Sequence, residues 1–557
     1  MSTSKEWWAL GQLGNRSYSP VPTDPDNSPL LSSAEREPDL TSHRAKKRTR
    51  CIRLRCLLPV LVVLVTLLAI ILIAYLRSDH INDPESAPQA SEVVGIDLDD
   101  PVVAARIHVD SLISRQSSTY SRAAAKYSLK TGRPPPPNYD KWFSFAKENF
   151  CLIDEYDQIA RDFAPFYKLA QVDPLFFQKR IDIVANLSNN VREAGAIVVK
   201  DGQIHMPEGV DFRYWGGGPA TFSSFAHLLP DMAFVLSGKD QPRVLFDYRV
   251  PGNATMERAL KLTEEHPFSL DPRPTAEFFR GRPGCEIPRS PAGFTDTAND
   301  DSGFFISSSP GYFTLDLYPV LSVTKVSPCF ADILFPSEYY YDKAAASPKF
   351  PFPNNIAWED KKPQIYWRGT STGGQIVGQN YRQFMRFRLV DVARAHPDLV
   401  DAQITRFADL LCFSEDGCDR DAIINEYNIT GGMPQETSYK YKYLLDVDGM
   451  TYSGRYLGLL RTGSLVFKAT VFEEYFNDWL RPYEHYIPVL PDLSDLVEKV
   501  EWARRNDEEA RAIQEHGREM ATRVMTDTQN DCYLFALLLE WAQLQEIARN
   551  ASGTALD

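Results

Sequence analysis

A run of small residues, Met450, Thr451, Tyr452, Ser453 and Gly454, ends in Arg455. It stands inside YKYLLDVDGMTYSGRYLGLLRTGSLVF, Tyr441 to Phe467. Tyr443, Leu444, Leu445 and Val447 spell a short buried strand, and Gly449 breaks it. Tyr456, Leu457, Leu459 and Leu460 supply the apolar face of a short helix. Gly463 falls where a helix C-terminal glycine belongs, and Leu465, Val466 and Phe467 begin another strand. A loop that opens a helix after a strand presents free backbone N–H groups and the positive end of a helix dipole. That is an anion site, and Arg455 adds a full charge at its lip. An ordinary βαβ unit with a solvent-facing arginine is the alternative that spacing leaves open.

Other groups have types that suit chemistry on an anionic substrate. Gln364 to Trp367 reads as a strand that ends in Arg368-Gly369-Thr370-Ser371-Thr372-Gly373-Gly374. Small hydroxylated residues there let backbone approach a ligand closely, and they also make an ordinary turn. Asn380 and Arg382 follow on a helix. Asp240 stands at the tip of SGKDQP, between strands read at Met232 to Leu236 and Val244 to Phe246. By residue type alone it is a solvated turn aspartate. Asp231 reads as a strand-start cap. Asp446 and Asp448 pair two carboxylates that can hold Mg²⁺ or Mn²⁺.

The elements that must position these groups occupy the C-terminal three quarters of the chain. Residues 1–56 form a disordered, basic cytosolic tail with seven positive residues between Arg44 and Arg55. Residues 57–76 are 20 residues without a charge, read as a transmembrane signal anchor with the basic cluster left in the cytosol. The expectation is a single-pass type II protein of the Golgi or endoplasmic reticulum membrane with its catalytic part luminal. Residues 77–138 read as a stem and linker that includes the stiff Pro134 to Pro137. Residues 139–345 read as an N-terminal α/β domain and 346–557 as a C-terminal α/β domain with final helices. Glu473 and Glu474 begin an aromatic helix. Leu493 to Val500, Asp507 to Met525 and Cys532 to Ile547 read as amphipathic helices, the second with a capping-box start at Asn506 and Glu509.

A net charge of −14 argues against a nucleic-acid binder. Six cysteines lie beyond the apolar stretch, enough for 15 pairings in an oxidising lumen, with Cys412 and Cys418 close enough to clip a loop. Asn186, Asn253, Asn428 and Asn550 begin glycosylation sequons.

From Tyr441 to Lys468 the chain resembles the nucleotide-sugar segment of glycosyltransferase family 90, which includes protein O-glucosyltransferases and fungal capsule-associated xylosyltransferases. Further similar pieces lie in the same order: RPPPPNYDKWFSFA, IDEYDQI, LLPDMAFVLSGKDQP, YWRGTSTGG, FEEYFNDWLRPYEHYIPV and DLSDLVEKVEWARRNDEEARAI. The resemblance covers about residues 130 to 545 and is closest to the fungal type. It implies two Rossmann-like domains facing a cleft, the GT-B arrangement, with the nucleotide-sugar on the C-terminal domain near residues 368–382 and 450–474, the acceptor entering over the N-terminal domain near Asp240, and the final helix packed back on the first domain.

The implied reaction is inverting transfer from a UDP-sugar to a hydroxyl of a glycan, glycolipid or protein, in capsule or cell-wall synthesis or protein O-glycosylation. UDP-xylose is the first expectation and UDP-glucose the second. Asp240 matches the catalytic base and Thr370, after Arg368 and Gly369, a donor-contacting hydroxyl. Arg455 and, with a looser alignment, Arg382 match diphosphate ligands. Glu474 is a ribose partner by analogy with two-domain transferases. Gly454 stands where some glucosyltransferase relatives carry an aromatic, which leaves the sugar open. The resemblance also implies no cofactor, so Asp446 and Asp448 are expected to be structural rather than metal-binding. The rival readings are an inactive membrane-anchored glycan-binding protein and a hydrolase, for which no second carboxylate stands out.

Overall fold

The computed structural model describes residues 100–187, 194–206, 221–246, 248, 253–261, 314–327, 329–342 and 356–553. Residues 1–56, read above as a cytosolic tail, the 57–76 stretch and Cys285 lie outside them.

The chain enters through five helices: α1 (Pro101–Ser114), α2 (Tyr120–Thr131), α3 (Tyr139–Glu148), α4 (Asp157–Ala170) and α5 (Phe176–Leu187). Asp100 caps α1 by accepting from the Val102 N–H at 2.9 Å, and Pro101 takes the first-turn position that needs no donor. Residues 101–131, read from sequence as stem, are thus two helices on the body. Ala105 and Val109 of α1 are fully buried, and Arg523 holds Asp110 at 2.6 Å.

The first sheet has the order β2-β1-β3-β4-β5, from β1 (Ala194–Lys200), β2 (Gln203–His205), β3 (Met232–Ser237), β4 (Leu321–Ser322) and β5 (Ile333–Leu334). A short helix, α6 (Asn253–Leu260), follows β3. β1 runs antiparallel to both neighbours, and only β3, β4 and β5 are mutually parallel.

The second sheet is wholly parallel, with the order β10-β9-β8-β6-β7. Its strands are β6 (Lys362–Thr370), β7 (Val400–Arg406), β8 (Tyr441–Val447), β9 (Leu465–Ala469) and β10 (Ile487–Val489). The helices α7 (Met385–Ala395), α8 (Arg420–Tyr427), α9 (Tyr456–Leu460), α10 (Leu496–Arg505) and α11 (Asp507–Arg523) accompany it. Every residue of β8 and β9 is buried, as a parallel sheet covered on both faces requires. Leu444 and Val466 join one core; Tyr443, Leu445, Val447, Leu465 and Phe467 join the other. Read from the first strand, the order is 2-1-3-4-5. The chain direction across the sheet therefore reverses between β6 and β8, and a crevice opens at their C-terminal ends.

The last helix, α12 (Asp527–Ser552), returns to the first lobe. Trp541 donates to the Ala233 carbonyl of β3 at 2.8 Å, and Cys532 forms a disulfide with Cys151.

Several expectations are corrected. The fold is α/β, but the first lobe carries a mixed sheet with two-residue strands rather than a parallel Rossmann sheet. No described helix is long and apolar enough to cross a membrane, and the transmembrane helix expected at 57–76 lies outside the described residues. Glu473 and Glu474 do not begin a helix; residues 475–479 form turns with isolated backbone bonds, and ring contacts to Tyr456 and Tyr533 fix Tyr475, Phe476 and Trp479. The capping box at Asn506 does not form, because its side-chain amide donates backwards to the Trp502 carbonyl. Arg368, Gly369 and Thr370 are the end of β6, not a turn after it.

Candidate active site

The loop from Asp448 to Arg455 leaves β8 at the crevice, and the first lobe closes over it. Asp240, 5% exposed, accepts a hydrogen bond from the Thr451 hydroxyl at 2.9 Å. Tyr452 and Ser337 share a hydroxyl–hydroxyl bond, and Tyr340 donates to the Ser453 carbonyl at 3.2 Å. Gly454 is required by close approach: a Cβ there would lie 2.7 Å from Cγ of Tyr339. Met450 and Arg455 are the partly exposed members of the loop.

The loop carrying Asp240 is held from behind. Asp332 accepts from the N–H groups of Arg243 and Val244 at 2.7 and 2.9 Å, and Ser237 takes Nε of Arg243 at 3.3 Å. Burial pushes the Asp240 carboxyl above the usual carboxylate range, against the lowering effect of the Thr451 bond. Asp231 accepts from the Asp201 N–H at the β1–β2 turn and takes no part in the site.

Two guanidinium groups lie in the crevice. Arg455 donates to the Arg368 carbonyl at 2.9 Å; its Nε and Nη2 are buried without a hydrogen-bond partner among the described residues. Arg386, on the first turn of α7, reaches the Thr370 carbonyl at 3.0 Å, the Thr370 and Thr372 hydroxyls at 3.1 and 2.6 Å, and the Asp448 carbonyl at 2.9 Å. Burial, with the neighbouring Arg455 charge, pushes Arg386 down to about 9, and burial lowers Arg455 too. A buried Arg386 and a half-buried Arg455 with enclosed Nε and Nη2, held by carbonyls and hydroxyls rather than carboxylates, make a site that an anion would stabilise. Arg386 went unnoticed in the sequence; its only signal is a position one helical turn beyond Arg382.

Arg382 itself lies in a short 3₁₀ turn on the surface and forks onto Glu426, with one contact at 2.8 Å. The Arg368 side chain turns away to Asp401 at 2.6 Å and stacks on Tyr366, so only its carbonyl faces the site. Glu474 is fully buried, and neither carboxylate oxygen has a hydrogen-bond partner among the described residues. Burial raises it well above the carboxylate range, with Lys468 the largest opposing influence.

All four oxygens of Asp446 and Asp448 are engaged by protein donors. Ser453 and Lys468 hold Asp446, while the Thr470 hydroxyl and the Val471 N–H hold Asp448 at 2.8 and 2.7 Å. Elsewhere, His108, Glu484 and His485 cluster at distances that a metal could bridge. The Arg481 N–H donates to Nδ1 of His485 at 3.0 Å, however, so Nε2 of that neutral ring carries the proton and is no ligand. Of the sequon asparagines, Asn186, Asn428 and Asn550 are exposed, and Asn253 begins α6.

A parallel doubly wound sheet with arginines at its switch point is the arrangement in which α/β proteins place a ligand crevice. Residues 353–554, which carry that sheet and α12, match the family model described as glycosyl transferase family 90. Among similar proteins, "Protein O-glucosyltransferase 2" of Danio rerio is 33% identical over 193 residues, 34% of this chain and 34% of that one. "Protein O-glucosyltransferase 3" of Homo sapiens is 32% identical over 190 residues, again 34% of each. "Protein O-glucosyltransferase 1" of Homo sapiens is 28% identical over 248 residues, 40% of this chain and 57% of that one. The chain thus spans about a third of the length of the first two.

Proposed function

We propose that this protein is an inverting glycosyltransferase that moves a sugar from a UDP-sugar to a hydroxyl of a protein in an oxidising compartment of the secretory pathway. The observation that carries the reading is the Arg386–Arg455 pair in the crevice, Arg386 buried and Arg455 half-buried with Nε and Nη2 enclosed, on and beside the loop whose Thr451 binds the buried Asp240 of the first lobe. Asp240 takes the proton of the acceptor hydroxyl. The hydroxyl oxygen forms the new bond to the anomeric carbon, and the bond from that carbon to the diphosphate oxygen breaks. UDP leaves with the electron pair, which Arg386, Arg455 and loop N–H groups stabilise. Thr370 and Glu474 border the nucleotide. The relatives' names favour glucose over the xylose suggested by the spelling of the chain, and protein over glycan or glycolipid. The disulfides Cys151–Cys532 and Cys412–Cys418 support the oxidising compartment.

UDP release by the full chain is the test, with UDP-glucose, UDP-xylose and other UDP-sugars, in EDTA, with peptide and mannose-containing acceptors. Turnover with one donor that disappears in Asp240→Asn is expected. UDP binding without turnover on any donor and acceptor would favour the glycan-binding reading. Activity lost in EDTA and restored by Mn²⁺ would return Asp446 and Asp448 to a metal.

A further inference from the structure

We infer that the disulfide-clipped loop beyond β7 is the docking surface for the acceptor polypeptide and fits a segment that is apolar and basic. The inference rests on the transferase reading for its role, but not for the surface itself. Ile376 and Cys412 form a parallel bridge, with the Ile376 N–H on the Leu411 carbonyl at 2.8 Å. Ile376 belongs to the second core and Cys412 packs against it. Side chains alternate across such a pairing, so the next residues, Val377 and Phe413, share the outward face. They are 53% and 42% exposed, and Leu410, in the short 3₁₀ turn that precedes Cys412, is 46% exposed.

Loops that must move do not need this much support. Here Cys412–Cys418 closes the loop, the Gly378 N–H binds the Asp416 carbonyl at 2.8 Å, and the Ala408 N–H binds the Ser371 hydroxyl at 2.8 Å. The last contact joins the loop directly to the segment after Thr370, so the surface borders the donor crevice. A rigid apolar face at the mouth of a transfer site is placed to hold a macromolecular acceptor. Its charge selects the partner: Asp409, Glu415, Asp416, Asp419 and Asp421 stand on the loop and the start of α8, with Arg420 as their single cation. A partner with leucine-like side chains flanked by arginine or lysine would bury the apolar face and answer the acidic rim.

The test uses the full chain carrying Asp240→Asn, so that binding is read without turnover. The probe is a fluorescent peptide with one serine between leucines and arginines, followed by anisotropy at low and high salt. Binding that weakens with salt, and at least about tenfold in Val377→Ser/Phe413→Ser, is expected. UDP binding should be unchanged in that variant, since both residues are on the surface. Equal binding by the double variant, equal binding of a peptide with glutamates in place of the arginines, or no binding at all would each overturn the inference. Absence of UDP-sugar turnover in the unsubstituted chain would instead count against the transferase reading alone.

Discussion

Two assignments decide most of the proposed chemistry, and they are tested differently. In the proposed transfer Asp240 is the proton acceptor, and Asp240→Asn should cost about 10²- to 10⁴-fold in turnover while leaving UDP affinity intact. Its carboxyl is raised by burial. Because the ionised form is the base, kcat/KM should fall as pH drops through that raised value, with the acid limb above the ordinary carboxylate range. A limb at the usual aspartate value would mean that Asp240 is not the titrating group. The second decision lies between Arg382 and Arg386. Arg382 spends its fork on Glu426 at the surface, while Arg386 is buried against Thr370, Thr372 and Asp448. Arg386→Lys should therefore weaken UDP binding about 10- to 100-fold, and Arg382→Ala should leave it nearly unchanged. The reverse order, by calorimetry, would restore the assignment read from sequence. The sequence could not rank them, because Arg382, Arg386 and Arg388 lie within two turns of one another and only packing settles which of them faces the crevice.

At the scale of elements, the β8–loop–α9–β9 unit was legible because its signals are local: a solid apolar run, glycine punctuation, then a short helical face. Glycine at 454 shows what the sequence left open. It marked a small-residue loop, but its cause is the ring of Tyr339, more than a hundred positions away and across the lobe junction. Gly454→Ala should push either that ring or the loop aside, at about 1–3 kcal/mol. As the same loop carries Thr451 and Arg455, the loss should appear mainly as a weaker hold on UDP. Gly432→Ala is the control, since a Cβ there meets nothing within 4 Å. Similar UDP affinities for the two variants would show that the loop tolerates displacement. The segment after Glu474 failed for the converse reason. Its aromatics have helix-like spacing, yet contacts to Tyr456 and Tyr533, distant in sequence, hold them in turns.

At the scale of the whole molecule, the lobes are joined by connections that no window of sequence displays. Within the first lobe Lys325 and Asp162 form a fully buried ion pair, and from that anchored position the backbone of Lys325 bridges to that of Glu473 in the second lobe at 3.1 and 2.7 Å. The return of α12 to the first lobe was foreseen from family likeness alone. The Cys151–Cys532 bridge that fixes it was one of fifteen possible pairings, whereas the short spacing of Cys412 and Cys418 made theirs the readable one. The same difference in spacing yields a prediction. A disulfide restricts the unfolded chain more as the closed loop lengthens. The separations are 381 and 6 residues, which in the chain-entropy view differ by about 3–4 kcal/mol. Denaturant unfolding of Cys151→Ser/Cys532→Ser should show a loss of about 2–5 kcal/mol, and Cys412→Ser/Cys418→Ser a much smaller one. The short bridge should nevertheless matter more for acceptor binding, because it shapes the exposed face of Val377 and Phe413. Equal stability losses would mean that α12 is held by its packing against α3, α4 and β3 rather than by the covalent tie. A long-bridge variant that also lost UDP affinity would show that this tie, far from the crevice in sequence, keeps Asp240 and Thr451 in register.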